Sequence, residues 1–515
     1  MKRIVGSAAC IVALAAVVFA QVKPKAEPMQ YPFGKPGDST RGVFGEDDRK
    51  EIKDAYEFKD YARATAVMIP KSSINGNKVY ASTLRSRLVK KFGSSNFDES
   101  VKFLDQPTCA NCTGFLIAPD VLVTAGHCIE AMSKAKDYVW LFDYTIESDY
   151  NANKGYFTID PKNVYEVKEI MGAYFQNLST YTDYSVLRLD RKSDRKPYRF
   201  RTGGNIGLFS DVNTIGSPTG LPLKLADNAY VVDNSYEKWF KNNIDGFPGN
   251  SGGPVFSPDG FIEGIHVRGA VELNEGSYVG DYKYDASCNC VKTLKFETTT
   301  DNAGSHAHRI TAMPVELLHT ALYDNLEYAI LNGDLERLKD WLAYSWFLDA
   351  DYTVNRGRLE FLAAQENNLS ALRLILETTS NMNVTDAGGN SLLFYAIDNN
   401  NTKMIEYLLR KGLSPNKADS YGITPLHHAV DNGNLEVIKT LLAKGANIGP
   451  VNMAGETALH NAAYTGNIDV IRVLLEKGAN PKVKNNDGKT PRKVAKKSKN
   501  KAAAKYLRKA EKGKL

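Results

Sequence analysis

The sequence predicts two folds joined in one chain, an all-β domain followed by an all-α repeat solenoid. Three observations predict it. The first is length, because 515 residues exceed what a single core accommodates. The second is texture. The amino half offers short apolar runs such as GFLIAPDVLVTA and YSVLRLD, broken by Gly, Asn and Asp, which is the pattern of β-strands. The third is a period. Gly389, Gly422, Gly455 and Gly488 lie 33 residues apart, and Ala396, Ala429, Ala462 and Ala495 keep the same step, as do Leu408, Leu441, Leu474 and Leu507. An apolar content of 43% with 24% charged residues belongs to an ordinary folded protein and excludes a disordered chain.

The first element in order is a leader. Lys2 and Arg3 precede the apolar run IVALAAVV, and Val18-Phe19-Ala20 offers small residues for cleavage. This pattern predicts a signal peptide over 1–20 and an exported protein. The run is too short to span a bilayer, which needs roughly 20 apolar residues, and no later segment qualifies as transmembrane. Residues 21–42 read as a propeptide or flexible leader, with a maturation cut expected near Gly42–Val43. The β domain is assigned to 43–318. The repeat domain is assigned to 319–515, about six units, clearest over 386–490.

Export favours disulfides. Cys10 leaves with the signal peptide, and Cys109, Cys112, Cys128, Cys288 and Cys290 remain, an odd number. The spacing Cys109-x-x-Cys112 with Cys288-x-Cys290 also permits a zinc reading. A ring closed between Cys288 and Cys290 would be strained, so Cys109 is expected to pair with one of those two. No metal or other cofactor is expected.

The blocks GITPLHHAVDNGNLEVIKTLLAKGAN and GETALHNAAYTGNIDVIRVLLEKGAN nearly repeat one another. They resemble the ankyrin repeat, whose T-P-L-H hallmark stands at Thr424-Pro425-Leu426-His427 and, softened, at Thr457-Ala458-Leu459-His460. The resemblance implies stacked helix pairs. Glycines serve the turns, alanines let helices approach, and leucines fill the shared core. His427 and His460 fall on the motif's own position, so they read as turn-stabilising and not as metal ligands. Ala363 and Leu376 continue the phase upstream, although Arg356 replaces the glycine. Such a stack implies a protein partner, which the sequence does not identify. Residues 482–515 carry fourteen Lys or Arg against Asp487 and Glu511, a balance of +12, while the whole chain is +6. The basicity is therefore local to the tail. It reads as a solvated cap, and no nucleic-acid partner is expected for an exported protein.

The chemistry centres on GFPGNSGGPVF, Gly246 to Phe256. A hydrolytic Ser251 needs a base, and of eight histidines only His127 and His266 lie outside the repeats and the polar SHAHR stretch. His127 ends a strong β-run in VLVTAGHC. Asp183 follows in TDYSVLRLD, with an apolar strand behind it. Thr-Ala-Gly-His-Cys resembles the histidine signature of chymotrypsin-like peptidases, and the order His127, Asp183, Ser251 is that family's order. The resemblance runs from about Val43 to Leu317 and implies a double β-barrel. It also implies a Cys112–Cys128 disulfide and an oxyanion hole from the Gly249 and Ser251 N–H groups. In that reading His127 is the base, Asp183 orients it and Ser251 attacks.

Gly-Asn-Ser-Gly, VFGEDDRKEIKDA and IGSPTGLPLK are similar to the bacterial glutamyl endopeptidase group. His266, in EGIHVRG, stands where those enzymes hydrogen-bond a substrate glutamate, and Arg268 follows it as a further specificity candidate. Two residues pull the other way. Gly246 replaces a threonine common in the group, and Asp245 occupies the position that selects Lys or Arg in trypsins. The expected function is an exported serine endopeptidase cutting proteins or peptides, with a preference for Glu before the scissile bond. An inactive protease-like protein that binds through its repeats is the alternative. An esterase using the same residues is a third reading.

Overall fold

The computed structural model describes residues 47, 49–146, 149–176, 182–268, 282–293, 305–344, 358–379 and 382–514. The expected signal peptide, leader and Gly42–Val43 cut lie outside these residues. The chain enters through a short strand, β1 (Lys50–Glu51). The first sheet then uses β2 (Thr65–Pro70), β3 (Cys112–Ala118), β4 (Val121–Thr124), β5 (Tyr138–Phe142), β6 (Val164–Tyr165), β7 (Val167–Phe175) and β8 (Asp183–Leu189). Their order is β6–β5–β2–β3–β4–β8–β7. The second sheet uses β9 (Arg199–Phe200), β10 (Asp211–Gly216), β11 (Lys224–Asp233), β12 (Trp239–Asn242), β13 (Pro254–Phe256), β14 (Phe261–Arg268) and β15 (Ser305–Arg309).

In the second sheet the order is β1–β11–β10–β13–β14–β15–β12, and β12 pairs back onto β11. That return closes a barrel and removes its free edges. Val212, Val231, Phe240, Val255 and Ala307 fill it. The neighbouring pairs β2–β3, β3–β4 and β4–β8 are antiparallel. Strand β3 is buried along its whole length, so both of its faces are covered. That is why its sequence reads as a continuous apolar run instead of an alternation.

The carboxyl half is built of helix pairs. Among the described residues these are α1 (Val315–Asn332) with α2 (Leu335–Leu342), α3 (Leu359–Gln365) with α4 (Leu369–Thr379), and α5 (Leu392–Asp398) with α6 (Thr402–Arg410). They continue as α7 (Pro425–Asn432) with α8 (Leu435–Ala443), α9 (Ala458–Thr465) with α10 (Ile468–Glu476), and α11 (Pro491–Lys497) with α12 (Lys501–Glu511). The architecture is a β-barrel region followed by a helical repeat stack. The boundary drawn at 318 falls inside α1.

Each periodic residue has a physical task. Gly389, Gly422, Gly455 and Gly488 adopt φ of +82°, +76°, +72° and +70°, the left-handed region that costs other residues. The four in-phase alanines and the four in-phase leucines are wholly buried between helices. The Nε2–H of His427 donates to the Glu456 carbonyl of the next repeat (3.0 Å), and His460 does the same to Lys489 (3.1 Å). Their Nδ1 atoms accept from the backbone N–H of Thr424 and Thr457. Both imidazoles therefore staple adjacent repeats.

Cysteine pairing departs in part from expectation. Cys112 and Cys128 are joined, and so are Cys288 and Cys290. Cys109 stays free and is not bonded to either late cysteine. The short ring is accommodated because Asn289 takes φ +51°, turning the chain until the Cα atoms of 288 and 290 stand 5.2 Å apart. Burial pushes the Cys109 thiol up to about 12, which disfavours the thiolate.

The solenoid is not tethered loosely to the barrels. The Asn325 side chain on α1 donates to the Ile117 carbonyl of β3 (2.7 Å), and both groups are buried. Arg188 of β8 bridges Asp120 (3.1 Å) and Asp324 (3.2 Å). The rings of Phe200 and Trp341 lie 5.6 Å apart. A Cβ added at Gly172 would come within 2.9 Å of Leu317. One hydrophobic cluster runs from Val67 and Phe115 through Leu322 and Leu326 into the repeats. Replacing Asn325 by Ala strands a buried carbonyl and should cost about 1–3 kcal/mol. Calorimetry of the full chain reads the loss, with barrel and first repeats expected to melt together in one endotherm.

Candidate active site

The segment 245–253 is a loop that enters strand β13. It is bonded to both sheets. Thr113 of β3 donates its hydroxyl to the Gly249 carbonyl (2.7 Å) and its N–H to the Ser251 carbonyl (2.8 Å). On the other side Gly252 N–H donates to the His266 carbonyl (2.6 Å) and His266 N–H to the Gly253 carbonyl (2.8 Å). Gly249 adopts φ +97° and Gly252 φ +85°. A Cβ at the first would fall onto the Ser217 carbonyl, and one at the second onto the Thr113 carbonyl and Thr124 hydroxyl. The glycines are thus required by backbone and space together.

His127 follows strand β4, in a turn whose N–H at Cys128 donates to the Ala125 carbonyl (3.1 Å). Asp183 opens β8, which pairs with β4. Its buried carboxylate takes two bonds from one residue: Oδ2 from His127 Nδ1 (2.8 Å) and Oδ1 from His127 N–H (3.0 Å). This clasp fixes the ring orientation and makes Nδ1 the protonated nitrogen, leaving Nε2 as the acceptor. Lys134 donates to the His127 carbonyl (2.8 Å), and Phe175 lies edge-on to the ring at 5.8 Å. The imidazole side chain is 31% exposed and so reachable by a ligand.

Ser251 is half-buried. Cys128 Sγ lies 3.6 Å from the Ser251 carbonyl, so the residue after His127 touches the residue that carries the hydroxyl. Among the described residues no hydrogen bond joins His127 Nε2 to Ser251 Oγ. Such bonds are commonly long without substrate and tighten when it binds. The N–H groups of Gly249 and Ser251 donate to no described protein acceptor. Two undirected donors beside a half-exposed hydroxyl are what an oxyanion site requires.

The specificity candidates separate. His266 is buried, and its Nδ1 has no protein partner. Burial first, then the fields of His306 and His127, lower its pKa to about 4, so the imidazole is neutral near pH 7. Asp245 is buried too, and its carbonyl accepts from Asn250 Nδ2 (3.1 Å). Gly246 is half-buried in the same loop. Arg268 ends β14 across from His306 and contributes to lowering that histidine's pKa.

Sequence reading missed Arg49. Its guanidinium is buried, paired with Asp47 (2.5 Å) and stacked 3.8 Å over the Phe247 ring. No local signal marks it, since DDRKE reads as a solvated charge run. His306 and His308 read as part of a polar stretch, yet they lie on strand β15 of the closed barrel.

One cluster of metal-type donors lies here, Cys112 Sγ, a His127 ring nitrogen and Cys128 Sγ, all within 4.8 Å. The sulfurs are bonded to each other and offer no thiolate, and Asp183 holds the imidazole. This donor set does not fit a metal ion.

The fold is that of a trypsin-like β-barrel domain followed by a helical repeat module. Residues 112–265 match the trypsin-like peptidase domain family. Residues 361–452 and 450–495 match ankyrin repeats. Among curated proteins the chain is similar to an extracellular metalloprotease of Bacillus subtilis (strain 168), 27% identical over 192 residues. That match covers 35% of this chain and 58% of the relative.

The buried histidines make the barrel sensitive to acid. His266, His306 and His308 each have a folded pKa of about 4 against 6.5 unfolded, burial being the main cause. Below pH 6.5 the unfolded chain binds protons that the folded barrel refuses, so stability is full above that value and falls toward pH 4. The melting temperature is expected to drop through this window, and His308→Leu to flatten the drop; an unchanged slope would contradict the assignment.

Proposed function

We propose that the protein is an exported serine endopeptidase. His127 accepts the Ser251 proton, Ser251 attacks the peptide carbonyl, and the developing oxyanion is held by the Gly249 and Ser251 N–H groups. His127 then protonates the leaving amine, and water repeats the sequence on the acyl-enzyme. The observation that carries this reading is the two-point clasp of His127 by Asp183, which prepares one imidazole nitrogen as a base. The matched trypsin-like domain supports it. Export remains part of the proposal and is supported by the leader pattern and two disulfides.

The proposal extends to substrates with Glu before the scissile bond, as in the glutamyl endopeptidase group. The place of His266 supports it, since its backbone pairs with Gly252 and Gly253 directly after Ser251. The ankyrin stack recruits a protein, and the exposed side chains Tyr421 and Met453, on successive loop tips, are suited to that role.

Three experiments test these statements. A fluorophosphonate is expected to label the folded protein on Ser251, read by peptide mass spectrometry, and Ser251→Ala to abolish it. Absence of an adduct would favour the non-catalytic binding protein. Gly249→Ala is expected to lower kcat by about 10²–10³-fold with a smaller change in KM, because it disturbs the oxyanion donors. A peptide library reads the preference, and cleavage after Lys and Arg would overturn the Glu assignment.

A further inference from the structure

The helix pair α11 and α12 departs from the pairs before it in the chemistry of one face. In the preceding pair that face is formed by Leu459, His460 and Ala463 of α9, Ile468 and Leu475 of α10, and Ala479 beyond it. Four of these are buried, and Ile468 and Leu475 are half-buried against the same core. Leu426, Val430 and Leu442 hold the corresponding places one unit earlier. One period of 33 further on, the six positions read Arg492, Lys493, Lys496, Lys501, Arg508 and Lys512. Every position that takes up the next repeat has become a cation.

The rest of the pair is ordinary. Helix α11 packs on α9 and α12 on α10, and Val494, Ala495, Ala503, Ala504 and Leu507 stay buried. No described element covers the basic face. Lys493, Lys496, Lys501, Arg508 and Lys512 are exposed and make no ion pair among the described residues, while Arg492 is tied to Glu511 (3.0 Å). A further repeat could not stack there without taking those charges out of water. Solubility of an uncovered unit requires only polarity. The earlier outer helices obtain it with both signs, Asp469 with Arg472 (3.3 Å) in α10 and Glu436 with Lys439 in α8. Here one sign is kept. Lys501, Lys505, Arg508 and Lys512 follow one another at three or four residues, a spacing at which like charges weaken a helix. An external anion relieves that repulsion.

We propose that the outward face of α11 and α12 is a docking surface for an anionic phospholipid bilayer. The face spans two helices packed side by side, a broad surface that suits a plane of headgroups. No large apolar side chain between 482 and 514 is exposed. The face therefore offers no ring on which a nucleic-acid base could stack and no anchor for a peptide side chain. Docking is electrostatic and peripheral, and each cation near an anionic leaflet contributes to it. Residues 482–515 carry +12 while the whole chain carries +6, so the remainder is negative and is repelled by the same surface. Docking of this kind needs no catalysis and stands whether or not Ser251 reacts.

The test is flotation of the full-length protein with lipid vesicles. Phosphatidylcholine mixed roughly two to one with phosphatidylglycerol is expected to carry the protein, and phosphatidylcholine alone to leave it behind. Salt at about 0.5 M should release it. The variant Lys501→Gln/Lys505→Gln/Arg508→Gln/Lys512→Gln should bind the mixed vesicles about 10²-fold or more weakly, with no loss of melting temperature. Lys501→Arg/Lys505→Arg/Lys512→Arg should bind as wild type, and so should Lys439→Gln/Lys444→Gln, which removes cations from an earlier repeat. Equal binding to the neutral vesicles, or undiminished binding by the fourfold Gln variant, overturns the proposal. A short DNA duplex or an acidic peptide bound more tightly than the mixed vesicles overturns it too. Should the fourfold variant fail to fold, Lys493→Gln/Lys496→Gln decides: binding about tenfold weaker is expected, and unchanged binding overturns it.

Discussion

The hydrogen bonding of residues 249–253 to a strand of each sheet is the constraint on which the rest depends. Thr113 holds one side of this loop and His266 the other. Thr113 follows Cys112, whose disulfide reaches Cys128 beside His127. The Ser251 loop and His127 are therefore registered through one strand and one covalent link. A shift of either sheet would strain two of these four hydrogen bonds. Gly249 and Gly252 make that closeness possible, since neither has room for a side chain.

What was legible in the sequence follows from how local each task is. The ankyrin period announces itself because turns, close helix contacts and inter-repeat staples recur at one spacing, and each needs a particular residue type. His127, Asp183 and Ser251 are each marked by a few neighbours in sequence, and the structure brings His127 and Asp183 into contact. The buried placement of Arg49 was not legible. A guanidinium in a charged run looks solvated until β1 adds to β11 and turns it onto Phe247. The free state of Cys109 was hidden for a similar reason. Only the turn at Asn289 reveals that Cys288 reaches Cys290 first.

The buried histidines of the second barrel illustrate a related limit. SHAHR carries the polarity of a loop, yet Ala307 faces the closed barrel, while His306 and His308 stand on the other face of the strand, where burial lowers their pKa. Composition reads polarity, whereas pairing with β12 and β14 decides burial. The same barrel supplies His266, so the chemistry beside Ser251 sits among imidazoles that resist protonation.

The joint between α1 and β3 has a mechanical consequence. A junction made of interlocked side chains has no slack to swing through, so each repeat stands at a set bearing from Ser251. Anything lodged along the helices is offered at a defined reach. Whether its chain arrives at the hydroxyl then depends on the length of its own loose segment, which sets the effective concentration there. On the proposed peptidase reading, the stack would then act as a ruler, choosing where along a captured polypeptide the cut can fall.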